Sequence, residues 1–246
     1  MTDSDLVVVS GAGTGIGRAV ARRLAGDGFH VLAVGRRPEP LDQLAKELAP
    51  HLDVASADLA TVAGATAVAD QVRGAARGCA GVVAAAGGLS PGGAAGLDGV
   101  RQDWLASFES NVLTAVLLVA ALRETIERDG GRVVLLSSVA ALRGGGGGPY
   151  GAVKAALHGF VYDLARELGE HGGTANVVAP GFVPDTEFWA GRLTDDSRRQ
   201  RAAQTLLGRE GTPEEVASLI AWLLGPDGGW VTGQVLSPNG GVVLGR

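Results

Sequence analysis

Short apolar runs alternate with amphipathic stretches from the start of the chain. Leu6-Val-Val-Val9 reads as a strand buried on both faces, because it shows no polar alternation. After a glycine-rich turn at Gly11 to Gly17, the helical spacing of Ile16 to Leu24 predicts a helix closed by Gly26-Asp-Gly28. His30 to Val34 predicts a second strand, and Leu41 to Leu48 a helix that follows Pro38 and Pro40. A weaker strand at Leu52 to Ala57 leads to a helix near Thr61 to Arg73, then a strand at Gly81 to Ala84. A long helix from about Val100 to Arg128 precedes the strand Arg132 to Leu136. A helix carrying Tyr150 and Lys154 follows, then strand Thr174 to Ala179, helix Pro213 to Leu224 and a last strand, Gln234 to Ser237.

Strand–helix units repeated in this way predict a parallel sheet wound with helices on both faces. No internal repeat and no linker marks a boundary, so a single domain spanning 1–246 is expected. The stretches 87–99 and 144–148 read as loops at strand C-terminal ends, where open α/β sheets place ligands.

Composition narrows the function. The net charge of −5 argues against binding nucleic acid as a main task. Cys79 is the single cysteine, so no intrachain disulfide is possible. The acidic start lacks a signal-peptide profile, and the apolar run Val112 to Leu122 is too short to span a bilayer, so a soluble cytoplasmic protein is expected. The histidines (His30, His51, His158, His171) are scattered without metal-ligand spacing.

The turn after the first strand is Ser10-Gly-Ala-Gly-Thr-Gly-Ile-Gly17, in which Gly11, Gly15 and Gly17 follow GxxxGxG. Glycines let backbone approach a pyrophosphate, and the following helix offers free N–H groups and a positive dipole end. Where an acid after the second strand would accept the ribose hydroxyls of NAD, this chain has Gly35-Arg36-Arg37, which favours the 2′-phosphate of NADP(H). Arg36 and Arg37 could equally be solvated arginines at a helix entry. Asp58 is placed to meet the adenine or to cap the next helix.

Only two lysines and two tyrosines occur, and one of each forms Tyr150-Gly-Ala-Val-Lys154. On a helix, residues four apart share a face. An ammonium beside a phenol lowers the phenol pKa, which points to a proton donor usable near neutral pH. A solvated helix pair is the plain alternative.

The ordered set Gly11-xxx-Gly15-x-Gly17, Asp58, Asn111, Ser138, Tyr150, Lys154 and Pro180-Gly181 resembles the short-chain dehydrogenase/reductase family, over about Leu6 to Gly241. The resemblance implies a single-domain Rossmann fold of seven parallel strands, assembled as a homotetramer or homodimer. It implies that Tyr150 protonates a carbonyl oxygen as hydride arrives from the nicotinamide. Lys154 would bind the nicotinamide ribose and lower the Tyr150 pKa, and Ser138 would orient the substrate oxygen. Asn111 would hold a water linking Lys154 to solvent. Ser137 is an alternative to Ser138, and Asn111 could simply back-bond within its helix. Cofactor contacts are implied at Gly11, Gly13, Thr14, Gly15, Ile16, Gly17, Arg36, Arg37, Asp58, Leu59, Ala86, Gly87, Tyr150, Lys154, Pro180, Gly181, Val183 and Thr186.

The chain departs from the family pattern at three places. Ala84-Ala85-Ala86-Gly87 stands where Asn-Asn-Ala-Gly is usual, Pro180-Gly181 to Thr186 is one residue longer, and Asn239 replaces a common Asp. A substrate flap is expected at about 185–207, with help from 144–149 and 89–96; Phe188 and Trp189 could wall an apolar pocket or dock the flap on the core. Arg198 and Arg201 would share one helical face, read as solvated. His158 reads as helix surface or a subunit contact.

The expected activity is NADPH-dependent reduction of a ketone, such as a 3-oxoacyl thioester or an aromatic polyketide ketone. An NAD-dependent alcohol dehydrogenase and a non-catalytic nucleotide sensor are the rivals. Hydrolysis draws no support, because no nucleophile elbow of the GxSxG type is expected.

Overall fold

The computed structural model describes residues 5–75, 77–89, 92, 95–145, 148–184 and 186–245. Seven strands form one parallel sheet: β1 (Leu6–Ser10), β2 (His30–Gly35), β3 (Leu52–Ser56), β4 (Cys79–Ala84), β5 (Arg132–Leu136), β6 (Thr174–Val178) and β7 (Val235–Leu236). Their order is β3-β2-β1-β4-β5-β6-β7, so the winding reverses between β1 and β4. Ser10 pairs with Val34 on one side and Ala84 on the other, which opens a crevice at these strand ends.

The apolar runs become strands because helices cover both sheet faces. Val8 points into a core with Leu118, Leu122, Leu157 and Leu164, while Val7 and Val9 point into a second core with Leu24, Leu41, Ile220 and Leu223. The first is covered by α3 (Val62–Gly74), α5 (Thr114–Arg128) and α7 (Tyr150–Gly169). The second is covered by α1 (Gly15–Gly26), α2 (Pro38–Leu48) and α9 (Pro213–Leu224). Burying one such side chain stabilises the fold by about 1.5–3 kcal/mol, and alternation along β1 divides that gain between both faces.

Several boundaries differ from the sequence expectation. Pro38 and Pro40 lie inside α2, where proline suits a helix's first turn because the missing N–H would be unpaired anyway. The stretch 87–99 is not all loop, since α4 (Gly96–Phe108) begins within it. The long helix is interrupted by a π-helical turn at Glu109–Leu113 before α5. Together Gly96–Arg128 is long and apolar enough to cross a membrane by length and composition, which the shorter run Val112 to Leu122, broken by Thr114, did not reveal. In this fold Leu118, Val119, Leu122 and Ile126 of α5 are buried in the core, whereas Leu97, Val100, Trp104, Leu105 and Phe108 of α4 are exposed.

A short α6 (Ala140–Arg143) and α8 (Asp195–Ala203) were not predicted as elements. The α8 segment, Asp-Asp-Ser-Arg-Arg-Gln-Arg-Ala-Ala, has no apolar stripe. Its helix is held at the start by a capping box, in which Thr194 and Ser197 satisfy each other's backbone N–H groups.

Candidate active site

The crevice holds a cavity of about 800 Å³ lined by the glycine turn, the ends of β4 and β5, the start of α7 and the segment after β6. The turn is built by contacts that only glycine permits. Gly11 (φ +65°) and Gly15 (φ +53°) adopt left-handed backbone, and a Cβ on Gly17 would lie 2.3 Å from the Gly11 carbonyl oxygen. Thr14 caps α1 with no side-chain hydrogen bond, and the first turn carries no acid. The helix therefore presents unblocked N–H groups and its positive dipole end to the cavity, which fits a pyrophosphate.

Gly11, Thr14, Gly15, Ile16, Gly17, Arg36, Arg37, Ala86, Gly87, Tyr150, Lys154, Pro180, Gly181, Val183 and Thr186 all line this space. Thr186 lies across Gly15, where an added Cβ would meet its side chain at 3.2 Å. Gly13 faces Pro40 instead. The Asp58 carboxylate accepts from Ala60 N at 3.1 Å, and Leu59 is buried in the core. The cap of α3 is Thr61, which accepts from Gly64 N, so Asp58 braces the turn before the helix. Arg37 pairs with Glu187 at 2.5 Å, while Arg36 has no carboxylate partner among the described residues.

At the other end of the cavity Ser138, Tyr150 and Lys154 converge, with Asn111 buried behind Gly87. Tyr150 opens α7, and Ser138, which accepts from Ala140 N, stands close enough to its hydroxyl to favour the phenolate. This separates the two serines: Ser138 meets the phenol, whereas Ser137 donates to Lys154 O at 3.0 Å. Lys154 Nζ is buried and donates to Leu136 O at 2.9 Å, its one hydrogen bond among the described residues. Asn111 sits in the π turn. Its Nδ2 donates to Gly88 O, Ser107 O and Ser110 Oγ, and its Oδ1 accepts from Gly88 N. It therefore both back-bonds in its helix and grips the β4 loop. A Cβ on Gly87 would stand 2.6 Å from Asn111 Oδ1 and 2.9 Å from Lys154 Nζ, so these two groups face each other across Gly87.

The titration behaviour reverses one sequence expectation. Burial pushes Tyr150 up to about 12, against a smaller lowering by the Ser138 hydrogen bond, and burial pushes Lys154 down to about 8. Loss of solvation thus outweighs any help the ammonium gives a phenolate. At neutral pH the pair is a protonated phenol beside an ammonium.

The flap reaches the same point. The Phe188 ring lies 5.4 Å from that of Tyr150, and Trp189 packs edge-on against Phe188 and Phe182. Phe188 and Trp189 thus wall the cavity and dock the flap together. Arg201 stacks 4.8 Å from the Trp189 ring while Arg198 pairs with Glu210, so this face of α8 turns inward and is not simply solvated. Asp185, where the flap was expected to begin, lies outside the described residues, as do Ser90, Pro91, Gly93, Ala94, Gly146 and Gly147 of the two rim segments.

The departures have local compensations. Ala86 N donates to Ser10 Oγ, and a Cβ on Gly11 would stand 2.9 Å from Ala85 O, so the alanines pack backbone against the turn. Asn239 donates to Ser237 Oγ and Val243 O and accepts from Gly241 N. An ionised Asp could not make those two donations. His158 is half-buried and bonded to Ser137 rather than lying free on the helix surface. Contrary to the sequence expectation, the letters GxSxG do occur, at Gly88-Leu-Ser-Pro-Gly92. However, β4 ends at Ala84 and α4 begins at Gly96, so the letters do not join a strand directly to a helix, and Ser90 and Pro91 lie outside the described residues. No group of metal-ligating side chains occurs among the described residues.

The profile of the family described as Enoyl-(Acyl carrier protein) reductase matches residues 11–243. The chain is 33% identical over 256 residues to the "Short-chain reductase protein NovJ" of Streptomyces niveus, covering 98% of this chain and 95% of that one. It is 30% identical over 244 residues to the "3-oxoacyl-[acyl-carrier-protein] reductase FabG" of Escherichia coli (strain K12), covering 98% of both. Among solved structures it is similar to a variant of the actinorhodin polyketide ketoreductase crystallised with NADPH. There the TM-score is 0.88 with 30% identity, over 98% of this chain and 97% of that one.

Proposed function

The chain belongs to the short-chain dehydrogenase/reductase family of oxidoreductases, and from that premise we propose that it reduces a ketone to a secondary alcohol with NADPH. The observation that carries this reading is the convergence of Ser138, Tyr150 and Lys154 at the far end of a glycine-lined cavity, with Asn111 facing Lys154 across Gly87. The open α1 N-terminus, Gly11, Gly15 and Gly17 would hold the pyrophosphate, and Arg36 the 2′-phosphate. Bound there, NADPH would supply the hydride.

The chain's own residues do the rest. Ser138 would hydrogen-bond and orient the carbonyl oxygen. As negative charge builds on that oxygen, Tyr150 gives it the phenolic proton. A phenol near 12 holds its proton at neutral pH yet is far more acidic than an alcohol, so transfer to a forming alkoxide is downhill. Lys154 contributes a positive charge that favours the phenolate left behind, and Asn111 holds Gly88 so that Gly87 stays narrow beside the ammonium. Phe188 over Tyr150 suits an apolar or flat substrate, such as a 3-oxoacyl chain or an aromatic polyketide ketone. We read the exposed row Leu97, Trp104, Leu105 and Phe108 on α4 as supporting association into a homodimer or homotetramer.

A panel of ketones including ethyl acetoacetate, with a 2-enoyl thioester as the contrasting substrate, tests the reaction by loss of NADPH absorbance. Turnover of the enoyl thioester alone would overturn ketone reduction. Arg36→Asp should weaken NADPH binding by about tenfold or more while sparing NADH. Equal loss for both cofactors, or none, would remove the 2′-phosphate argument. The reduction rate should be level up to about pH 8 and fall above it, because Lys154 loses its charge there while Tyr150 stays protonated to about 12. A profile flat through pH 10 would contradict this.

A further inference from the structure

Tyr150 occupies an awkward place for a residue that must be aimed. It is the first residue of α7, and Pro149 before it makes no side-chain cap bond. The chain upstream runs through Gly144, Gly145 and Gly148, all at positive φ, with no neighbour within 4 Å of where their Cβ atoms would be. These three glycines offer no packed side chain to fix where α7 starts. The anchor therefore has to come from the body of the helix, downstream of Tyr150.

Three consecutive residues at the end of β5 supply it. Leu136 O accepts from Lys154 Nζ at 2.9 Å. Ser137 Oγ donates to Lys154 O at 3.0 Å and meets His158 Nε2 at 2.8 Å. Ser138 stands beside the Tyr150 hydroxyl in the cavity. The backbone of Ser137 is itself fixed in the sheet by its N–H to Val178 O at 2.7 Å. A hydroxyl has one proton, and here Lys154 O takes it, so His158 must carry its proton on Nε2 and donate to Ser137 Oγ. That donor is present whether the ring is neutral or charged. Gly151 packs against Ala140 O, where a Cβ would stand at 2.8 Å, so the helix is held sideways at its first turn. Along its axis it is held one and two turns later.

We propose that Ser137 and His158 are positioning residues, which together clamp the Lys154 turn of α7 to the end of β5 and so set the distance between the Tyr150 phenol and the substrate oxygen held by Ser138. This rests on the proton-donor reading of Tyr150. Both residues lie away from the reacting atoms, and their effect passes through the backbone at Lys154.

The test compares Ser137→Ala, His158→Leu, their double variant, His158→Gln and Tyr150→Phe, assayed with NADPH and ethyl acetoacetate or the best ketone of the panel. Because reaction rates fall steeply with small misplacements, kcat should drop about tenfold in each single clamp variant. KM and the NADPH Kd, read by cofactor fluorescence, should stay within about twofold, since no binding group is removed. The double variant should be no worse than either single one, because both break the same clamp. His158→Gln should recover most of kcat, as its amide can reach Ser137 with an N–H. An unchanged kcat in the single variants, with or without a lower Tm, overturns the clamp and leaves the pair as packing. Additive losses, or failure of Gln to rescue, also overturn it. Should His158→Leu not fold, Ser137→Ala and His158→Gln decide between these outcomes. An inactive Tyr150→Phe beside unimpaired clamp variants discards the clamp alone. An active Tyr150→Phe, or a parent inert to every ketone, discards the proton-donor reading and the clamp with it.

Discussion

Tyr150→Phe is expected to lower kcat by about 10²–10⁴-fold while leaving NADPH affinity nearly unchanged. The phenol stands beside Ser138 in the cavity and stays protonated far above neutral pH. Removing its hydroxyl takes away the proton without taking away the ring, whose packing on Phe188 at 5.4 Å is a contact of carbon faces. Ser138 keeps its bond from Ala140 N, so the end of β5 should not rearrange. Stopped-flow NADPH oxidation and a cofactor titration separate the two effects. The chain has only one other tyrosine, Tyr162, so the tyrosinate absorbance that appears near pH 12 should vanish in the variant. Retained turnover would show that the proton comes from elsewhere.

Lys154→Met is expected to act in opposite directions on activity and stability. The ammonium is buried with a single carbonyl acceptor and no carboxylate, which holds its pKa down to about 8 from an ordinary 10.5. A base whose folded pKa is depressed takes up its proton less readily in the folded state. Below about pH 8 both states are charged and the folded state carries the full penalty, which fades as pH rises towards 10.5. At 1.36 kcal/mol per pH unit that penalty is about 3 kcal/mol. Methionine fills similar space without charge, at the expense of the bond to Leu136 O, so Tm at pH 7 should rise by on the order of 5 °C. The gain should shrink by pH 10. Catalysis should fall about 10²-fold or more, because no positive charge then favours the phenolate. Thermal unfolding at both pH values checks the first effect and single-turnover rates the second. A variant that is both less stable and still active would contradict the account of this site.

The sheet was legible because its strands are written in short apolar runs rich in valine and leucine: Leu6 to Val9 and Arg132 to Leu136 became β1 and β5 with almost the expected ends. The candidate residues were offered by the Tyr150–Lys154 spacing and by the family resemblance; in the fold Ser138, Tyr150 and Lys154 line one cavity, and Asn111 faces Lys154 across Gly87. What escaped depends on terms that spacing does not carry. The spacing of Tyr150 and Lys154 suggested a lowered phenol pKa, but burial is set by the whole fold and drove it the other way. The choice between Ser137 and Ser138 is made by which side of β5 each faces. The π turn is not visible in the apolar pattern, since it accompanies amide bonds from Asn111 to Ser107 and Gly88. Helix α8 hid because its residues are almost all polar, although Thr194 and Ser197 offered a capping signal. His158 was read from its own helix, while its partner Ser137 follows the end of β5, on another element.

The π turn at Glu109–Leu113 also makes the long helix a splice of two surfaces. A regular α-helix advances about 100° per residue, so its faces stay locked in phase from end to end. A wider turn absorbs part of that rotation. The face of α4 that shows Trp104, Leu105 and Phe108 to solvent is therefore out of phase with the face of α5 that buries Leu118, Leu122 and Ile126. An outward surface could drift through generations of substitutions without turning the inward one, and Asn111 stands at the joint between them.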